Sequence, residues 1–250
     1  MLTSSCTNMP ITYFIADLHL SADRPDITSC LEKFLSDEAT KADALYVLGD
    51  LFEAWLGDDD INEFTSRVTE AFKTLSDKGV PIFFIHGNRD FLVRKTFADR
   101  AGMTLLPEEH VIDLYGEPTL IMHGDQLCTR DIAYQKFRKK SRGWWWPRMV
   151  LMLPLTTRRN IAENGRKKSK QTQQNLSQDI MDVTPDEVTK SMKMHKVNRL
   201  IHGHTHRPDI HQIDIDGAQA ERIVLGDWYT QGSVLSFTPD SYQLETRRFS

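Results

Sequence analysis

The stretch Leu200-Ile201-His202-Gly203-His204-Thr205-His206-Arg207-Pro208 places three histidines at alternate positions at the end of an apolar run. If it forms a strand, the three imidazoles share one side, because strand side chains alternate with period 2. Gly203 removes a side chain where the backbone bends or another group comes close. Neutral imidazole is a common metal ligand, so the stretch indicates a metal site. A His-rich surface turn is the alternative.

Four other apolar runs end in polar residues of the same kind. They are followed by Asp17-Leu18-His19, Gly49-Asp50, Gly87-Asn88-Arg89-Asp90 and His123-Gly124-Asp125. In open α/β sheets the carboxyl ends of strands form the ligand-binding edge. These ends therefore bring two carboxylates, one amide and four imidazoles to one edge. That number of ligands suits two metals sharing a carboxylate, and oxygen and nitrogen ligands favour Mn²⁺, Fe²⁺ or Zn²⁺.

Arg89 follows the amide ligand directly, where its guanidinium can donate to phosphate oxygens. The alternative for Arg89 is a surface arginine after a turn. Apolar residues at helical spacing separate the strands, as at Ile27, Leu31 and Phe34, and later from Ile61 to Leu75. Strand and helix alternate three times, which predicts an α/β fold with a mostly parallel sheet. The strand-rich region after residue 209 predicts hairpins that build a second sheet packed on the first. Asp58 to Asp60 are interpreted as a solvated cap of the second helix.

Composition limits the class of protein further. The chain has 250 residues, 40% of them hydrophobic, and a net charge of −4. Three distant cysteines, Cys6, Cys30 and Cys128, indicate a reducing compartment, and Cys128 is interpreted as a packing residue. The sequence contains no apolar run of 18 residues, so no membrane-spanning helix is predicted. Residues 1–10 lack the pattern of a signal peptide and are expected to form a flexible tail, with Met9 as an alternative start.

Residues 129–196, here named the lid insertion, interrupt the pattern of strands. Between Tyr134 and Lys170 they carry twelve Lys or Arg and one acid, Glu163, so this stretch is +11 and the rest of the chain −15. It also contains the apolar stretch Trp144–Leu155, too short to span a bilayer. Tryptophan, aliphatic residues and cations together favour contact with an anionic membrane or with acyl chains. Packing of an ordinary helical hairpin and nucleic-acid binding are the alternatives.

The five polar blocks, present in order, resemble those of the calcineurin-like metallophosphoesterases. The resemblance implies a four-layer αββα sandwich over residues 11–128 and 197–250, with residues 129–196 as a helical lid. It implies two metal sites. His202 lies outside the pattern of the resemblance and is interpreted as a buried strand residue or as one that supports a metal ligand. One site would be formed by Asp17, His19, Asp50 and His206, and the other by Asp50, Asn88, His123 and His204.

A narrower resemblance, carried by Ala16–Leu20, Gly49–Trp55, Gly57–Asp59, Leu127–Thr129 and Ile201–Pro208, is to the pyrophosphatases of this family that act on UDP-2,3-diacylglucosamine in lipid A biosynthesis. It implies hydroxide attack on the α-phosphorus, releasing UMP and 2,3-diacylglucosamine 1-phosphate. The implied cofactors are two Mn²⁺ ions, with Fe²⁺, Zn²⁺ or Mg²⁺ as alternatives. The implied catalytic residues are Asn88, Arg89 and His123. The implied substrate contacts are Asn88, Arg89, Asp131, Ser169, Gln173, Leu176 and His204.

Two positions depart from that narrower pattern: Gln173 stands in place of an Asn, and Leu176 in place of a Lys. Lys167, Lys168 or Lys170 could replace the missing cation. Trp228 is left open between a core residue and a base-stacking residue. The expected partners are the nucleotide-lipid substrate and, peripherally, the anionic cytoplasmic face of the inner membrane. Neither nucleic acid nor an obligate protein partner is expected. A soluble phosphodiesterase of the same family and a non-catalytic scaffold are the competing hypotheses.

Overall fold

The computed structural model describes residues 9–174 and 182–249, and the side chains of all these residues except 168–174. The strands in this part of the chain are β1 Thr12–Ile15, β2 Ala44–Val47, β3 Ile82–Phe84, β4 Met103–Leu105, β5 Glu109–Leu114, β6 Glu117–Met122, β7 Arg199–His202, β8 Asp209–Ile215, β9 Ala218–Val224, β10 Gly232–Phe237 and β11 Tyr242–Arg247. The α-helices are α1 Pro25–Asp37, α2 Glu63–Asp77, α3 Lys95–Ala101, α4 Ile132–Ser141, α5 Trp146–Leu151, α6 Leu155–Gln174 and α7 Pro185–His195.

The first sheet has the strand order β11-β10-β1-β2-β3-β4. Strands β1 to β4 are parallel, with α1 between β1 and β2 and α2 between β2 and β3. This confirms the predicted βαβ units. Strand β4 was not predicted, because its three residues are too few to show a period.

The second sheet has the order β5-β6-β7-β9-β8, with β6, β7 and β9 parallel. The expectation that both late hairpins would build this sheet was wrong for the second of them. Hairpin β8–β9 joins the second sheet, whereas β10 pairs antiparallel with β1, Leu235 lying opposite Phe14. The reason lies in burial: Val234 and Leu235 are both fully buried, on opposite faces of β10, so the strand needs packed layers on both sides.

Three apolar clusters define four layers. Helices α1 and α2 cover the outer face of the first sheet through residues such as Leu31 and Phe72. The two sheets meet through residues such as Phe14 and Ile201. Helix α7 covers the outer face of the second sheet, where Met192 packs in one cluster with Leu200. The order helix, sheet, sheet, helix is the predicted αββα sandwich. Helix α7 lies within residues 129–196 but packs as an outer layer of the sandwich. The predicted division of the chain at residues 129 and 197 stays a prediction.

Two helices begin later than predicted. Helix α2 starts after Asn62, whose side chain accepts a hydrogen bond from the backbone N–H of Thr65, and Ile61 lies outside the helix, exposed. The interpretation of residues 58–60 as a solvated cap of α2 was wrong. The carboxylate of Asp58 accepts from the backbone N–H of Arg94 and of Phe97, so it caps α3, which begins at Lys95 instead of Phe91.

Helices α4, α5 and α6, here named the lid helices, follow the end of β6 and lie between the two halves of the sandwich in sequence. Among the helices of residues 9–174 and 182–249, none is both long and apolar enough to cross a membrane. The ion pair between buried Arg158 on α6 and Asp59 ties the lid helices to the loop after β2.

Candidate metal centre and active site

The strand ends bring all seven predicted metal ligands to one edge of the sandwich. Asp17 and His19 follow β1, Asp50 follows β2, and Asn88 follows β3 in the first sheet. His123 follows β6, and His204 and His206 follow β7, in the second sheet. Parallel pairing of β1 with β2 and of β6 with β7 gives these ends a common direction.

Five of these seven residues have a left-handed backbone. The φ angles are 55° at Asp17, 49° at His19, 50° at Asp50, 71° at His204 and 56° at His206. Non-glycine residues adopt this region rarely and at a cost, and such residues concentrate at functional sites. The side chains therefore reach the site from bent loops that follow the strands.

The expectation that His202, His204 and His206 share one strand face was wrong for this reason. Strand β7 ends at His202, whose ring is fully buried beside Arg222 and bonds the carbonyl oxygen of Gly203. Burial, followed by the charge of Arg222, lowers the pKa of His202 to about 3. His202 is thus a neutral buried residue. The predicted close approach at Gly203 is confirmed, because a Cβ there would lie 2.4 Å from Asp17 Oδ2.

One group of candidate ligands surrounds His19. Its Nε2 lies 3.3 Å from His206 Nε2 and 3.9 Å from Asp50 Oδ2. His206 Nε2 is also 3.4 Å from Asp17 Oδ1, a buried oxygen that has no hydrogen-bond partner among the described residues. Asp17, His19 and His206 each offer an atom to one common point.

The second group surrounds His123. Its Nε2 lies 3.1 Å from Asn88 Oδ1, 3.2 Å from His204 Nδ1 and 3.8 Å from Asp50 Oδ1. His204 Nδ1 lies 2.9 Å from Asn88 Oδ1. Asp50 is common to both groups, with one oxygen directed to each. The geometry agrees with the two ligand sets that the family resemblance implies.

The donor set fits divalent metal ions. Imidazole nitrogens and carboxylate oxygens converge at both points, and the amide oxygen of Asn88 joins them at the second. No thiol among the described residues takes part. Burial is the largest of the causes that lower the pKa of His204 to about 3, so this ring is neutral near pH 7, the form in which imidazole binds a metal. The carbonyl of Leu48 accepts from His123 Nδ1, which leaves Nε2 of that ring for a metal. The number and identity of the ions stay predictions.

Asp90, in the third block, supports the site without belonging to the predicted ligands. Its buried carboxylate accepts from the backbone N–H of Gly87 and of Leu51, both at 2.7 Å. These bonds join the loop after β3 to the loop after β2. Burial, and then the charge of Asp50, raise the pKa of Asp90 to about 7. Asp90 therefore fixes the position of Asn88 relative to Asp50.

Arg89 lies beside the ligands in a cavity. Its backbone N–H donates to Asp50 Oδ1 at 2.8 Å. Its side-chain Nε is buried and has no hydrogen-bond partner among the described residues. A buried donor without a partner is costly, so this Nε is suited to an anionic ligand. The position agrees with the predicted contact of Arg89 with phosphate oxygens.

The cavity, about 570 Å³ in volume, lies between the candidate ligands and the lid helices. Asn88, Arg89 and His204 line its polar end. The remaining wall is mainly apolar and comes largely from the lid helices, with Phe137, Trp146, Val150, Ile161 and Ala162. The arrangement places charged and apolar surfaces in one continuous space.

The predicted substrate contacts of the lid are only partly described. Asp131 lines the cavity and accepts from the backbone N–H of Tyr134 at 2.8 Å. Ser169 and Gln173 lie in α6 at positions whose side chains are not described, and Leu176 lies outside the described residues. Lys168 and Lys170 belong to the same undescribed set of side chains. These contacts remain predictions.

Several residues around the site were missed from the sequence. Tyr134 stacks near His204, with ring centres 6.1 Å apart, and its hydroxyl donates to buried Asp125. Tyr229 stacks on His19 at 4.9 Å. Asp125 also accepts from Arg138 Nε at 2.9 Å. Only Asp125 gave a signal in the sequence, because it belongs to the fourth block.

The burial of Trp228 and of Cys128 decides the role of each residue. Trp228 is fully buried and its Nε1 donates to the carbonyl of Ser233, so it is a core residue. Cys128 is buried in the cluster under α7, as expected of a packing residue, although it also borders the cavity.

Comparison with known proteins extends these observations. The family model of the calcineurin-like phosphoesterases matches residues 11–208. A curated protein of Photobacterium profundum, named UDP-2,3-diacylglucosamine hydrolase, is 54% identical over 96% of this chain and 98% of its own length. Proteins with the same name from Aeromonas hydrophila and Vibrio atlanticus are 54% and 51% identical, over 94% and 96% of this chain and 97% and 98% of their own lengths. This chain therefore belongs to the calcineurin-like phosphoesterase family, within the group whose curated members are named UDP-2,3-diacylglucosamine hydrolase.

Proposed function

We propose that this chain hydrolyses the pyrophosphate bond of UDP-2,3-diacylglucosamine, releasing UMP and 2,3-diacylglucosamine 1-phosphate in lipid A biosynthesis. The observation that carries the proposal is the cavity, which runs from the candidate metal ligands to an apolar interior formed largely by the lid helices. A nucleotide lipid has the same polarity, with a charged centre and two acyl chains. The relatives that cover nearly the whole chain bear the name of this activity.

Two divalent cations, Mn²⁺ by preference, are proposed as cofactors. Asp17, His19, Asp50 and His206 would hold one, and Asp50, Asn88, His123 and His204 the other. Two such ions, when bound, acidify a water molecule near neutral pH and neutralise charge that develops at phosphorus. The attack is proposed to occur at the α-phosphorus.

Arg89 is proposed to hold the phosphate oxygens through its guanidinium. Its buried Nε, without a partner among the described residues, would gain a charge-assisted hydrogen bond when an anionic oxygen binds. Because the backbone N–H of Arg89 bonds Asp50 Oδ1, the side chain leaves the backbone directly beside the candidate metal ligands. The residue thus orients the reacting group instead of moving a proton.

The apolar wall formed by the lid helices is proposed to hold the acyl chains. Phe137 and Trp146 pack edge to face at 6.3 Å and Phe91 packs against both, which gives the cavity an aromatic side. Asp131, Ser169, Gln173 and Leu176 are proposed to contact the head group. A water-soluble phosphodiester would leave the apolar wall unfilled, so the cavity favours a lipid substrate over the soluble alternative.

The protein is proposed to work at the cytoplasmic face of the inner membrane as a peripheral protein. Four apolar side chains of the lid, Trp144, Trp145, Met149 and Met152, are exposed. Cations surround them in the sequence, and both features favour an anionic lipid surface. Neither nucleic acid nor an obligate protein partner is proposed.

Phosphorus NMR of the purified protein with Mn²⁺ and UDP-2,3-diacylglucosamine in detergent, in ¹⁸O-labelled water, tests the reaction. Labelled UMP would establish cleavage with attack at the α-phosphorus. Label on the lipid phosphate would keep the activity and overturn the position of attack. Cleavage of soluble phosphodiesters without cleavage of the lipid would favour the soluble phosphodiesterase. Bound metal without cleavage of any substrate would favour a scaffold.

A further inference from the structure

A second cleft lies beside the cavity of the candidate active site, and of their lining residues the two share Phe91 alone. Its volume is about 430 Å³. Its charged walls are Arg94 from the loop before α3, Arg142 and Arg148 from the lid helices and their connection, and Glu108. None of the predicted metal ligands lines it, and the proposed reaction does not use it.

The cleft carries more positive than negative charge. Its one lining carboxylate, Glu108, already pairs with Arg142 at 2.8 Å and with Arg138 at 2.5 Å. Arg142 also donates to the carbonyl of Gly87 at 2.8 Å, so its guanidinium is engaged by the core. Neither Arg94 nor Arg148 forms an ion pair with this carboxylate.

Arg94 and Arg148 differ in that respect from four other arginines, all of them in the lid insertion. Within residues 9–174 and 182–249, neither forms an ion pair with a carboxylate, whereas Arg138, Arg142, Arg158 and Arg159 each do. The guanidinium of Arg94 donates through Nη1 to two main-chain carbonyls. That of Arg148 donates to the carbonyl of Trp144 and lies over the Trp144 ring at 5.0 Å. Both retain donors toward the cleft.

The arginines also affect one another electrostatically. Burial lowers the pKa of Arg94, Asp58 opposes the shift, and Arg148 and Arg142 lower the pKa further. Mutual repulsion of like charges in one cleft is relieved when an anion binds among them. Arginine is the side chain whose fork of donors matches phosphate oxygens.

We propose that this cleft is a binding site for a phosphate ester, held between the guanidinium groups of Arg94 and Arg148. Trp144, on the rim of the cleft, is 77% exposed, and Met149 and Met152 on the same short helix region are 56% and 80% exposed. A phospholipid head group in the cleft would bring its acyl chains beside these side chains. A soluble phosphate ester offers the same chemistry to the arginines without using the apolar neighbours.

Binding of two probes to the full-length protein tests the proposal and separates these sources. One probe is glycerol 3-phosphate, whose binding is measured by the change in tryptophan emission. Because Trp144 borders the cleft, this change should be absent in Trp144→Phe. The other probe is phosphatidylcholine vesicles that contain or lack phosphatidic acid, and their binding is measured by sedimentation. The test variant is Arg148→Gln, at an exposed position. The matched control is Arg130→Gln, an exposed arginine of the lid insertion outside the cleft.

Arg148→Gln is expected to weaken binding about tenfold, the effect of losing one charge-assisted hydrogen bond, while Arg130→Gln binds as the native chain does. Loss with vesicles alone assigns the site to a lipid head group, and loss with glycerol 3-phosphate alone assigns it to a soluble ester. If Arg148→Gln and Arg130→Gln bind both probes equally well, the proposal is overturned.

Arg94→Gln is expected to give the same loss as Arg148→Gln. If this half-buried substitution lowers the thermal midpoint so far that the protein is unfolded during the assay, Arg148→Gln decides alone. Turnover of detergent-dispersed UDP-2,3-diacylglucosamine is expected to be unchanged in Arg148→Gln, because the cleft lies outside the candidate active site. A failure of the proposed reaction is therefore distinguishable from a failure of the phosphate site.

Discussion

Asp50 is the residue on which both halves of the candidate metal centre depend. Its Oδ1 faces His123 and its Oδ2 faces His19. Asp50→Ala is expected to remove metal from both positions and to lower turnover by more than about a hundredfold. This loss exceeds the one expected when a residue that only hydrogen-bonds to a metal ligand is replaced. Metal content and turnover are measured together. Asp77→Ala, an exposed acid on α2, is the control, and full turnover of Asp50→Ala would refute the shared position.

Asp125 links the lid helices to the core through a buried carboxylate. Burial alone would raise its pKa, but His123, Arg142 and Arg138 lower the pKa overall. A carboxyl whose pKa is lower in the folded state stabilises the fold above its unfolded pKa, about 3.9, and loses that effect as the pH falls toward the folded value. The charge of Asp125 therefore stabilises the native protein near neutral pH.

Asp125→Asn is expected to lower the free energy of unfolding by about 3 kcal/mol at pH 7, because Arg138 loses its buried partner. The difference from the native chain should stay constant down to about pH 5 and narrow below about pH 4. Urea unfolding across this range measures it, with Asp77→Asn as the control. A difference that widens in acid would contradict the assignment.

At the scale of elements, neighbouring acids in one loop serve different helices. Asp58 caps α3 through the N–H groups of Arg94 and Phe97 and accepts from Trp55 Nε1 at 3.0 Å. Asp58→Ala is expected to lower the free energy of unfolding by about 2 kcal/mol, the upper range for a lost cap. Thermal or urea unfolding measures it. Asp99→Ala, which breaks an exposed pair within α3, is expected to cost less than about 0.5 kcal/mol, and equal effects would contradict the capping role.

Asp59 serves the lid. It pairs with Arg158 on α6, which also donates to the carbonyls of Leu56 and Leu153. Asp59→Asn is expected to loosen the lid helices and to raise KM for the lipid substrate about fivefold, equivalent to roughly 1 kcal/mol. Turnover of a small soluble phosphodiester should not change. Asp60→Asn, in the longer contact with Arg159 on the same helix, is the control, and equal KM values for the two variants would reject the tether.

At the scale of the whole molecule, exposed apolar side chains concentrate on the lid. Replacing Trp144 and Met152 with Ser together is expected to weaken binding to anionic phospholipid vesicles at least about tenfold, because each side chain gains up to about 2 kcal/mol on leaving water. Vesicle sedimentation measures the loss. The control replaces Ile61 and Met194, two other exposed apolar residues that lie outside the lid helices. The same loss with both double variants would show non-specific adsorption.

The sequence by itself determined the class of fold and the candidate metal ligands. Alternating apolar strands and amphipathic helices allow few topologies, and parallel strands necessarily end at a common edge. Asp17, Asp50 and Asn88 could therefore be placed together before any coordinate was known. The charge and tryptophan content of residues 134–170 likewise identified the lid as the unusual part of the chain.

Only the tertiary structure decided how those residues meet. The left-handed backbone of Asp17 and His204 is held by distant contacts, such as the bond from His204 N–H to Asp17 Oδ2, which no local pattern encodes. Strand β10 belongs to the first sheet because both of its faces are buried, a property of its neighbours and not of its own residues. The partners of Asp125, which come from Tyr134 and Arg138 on α4, depend in the same way on where the lid packs. Local periodicity specifies elements, whereas burial and charge pairing between distant segments specify the site.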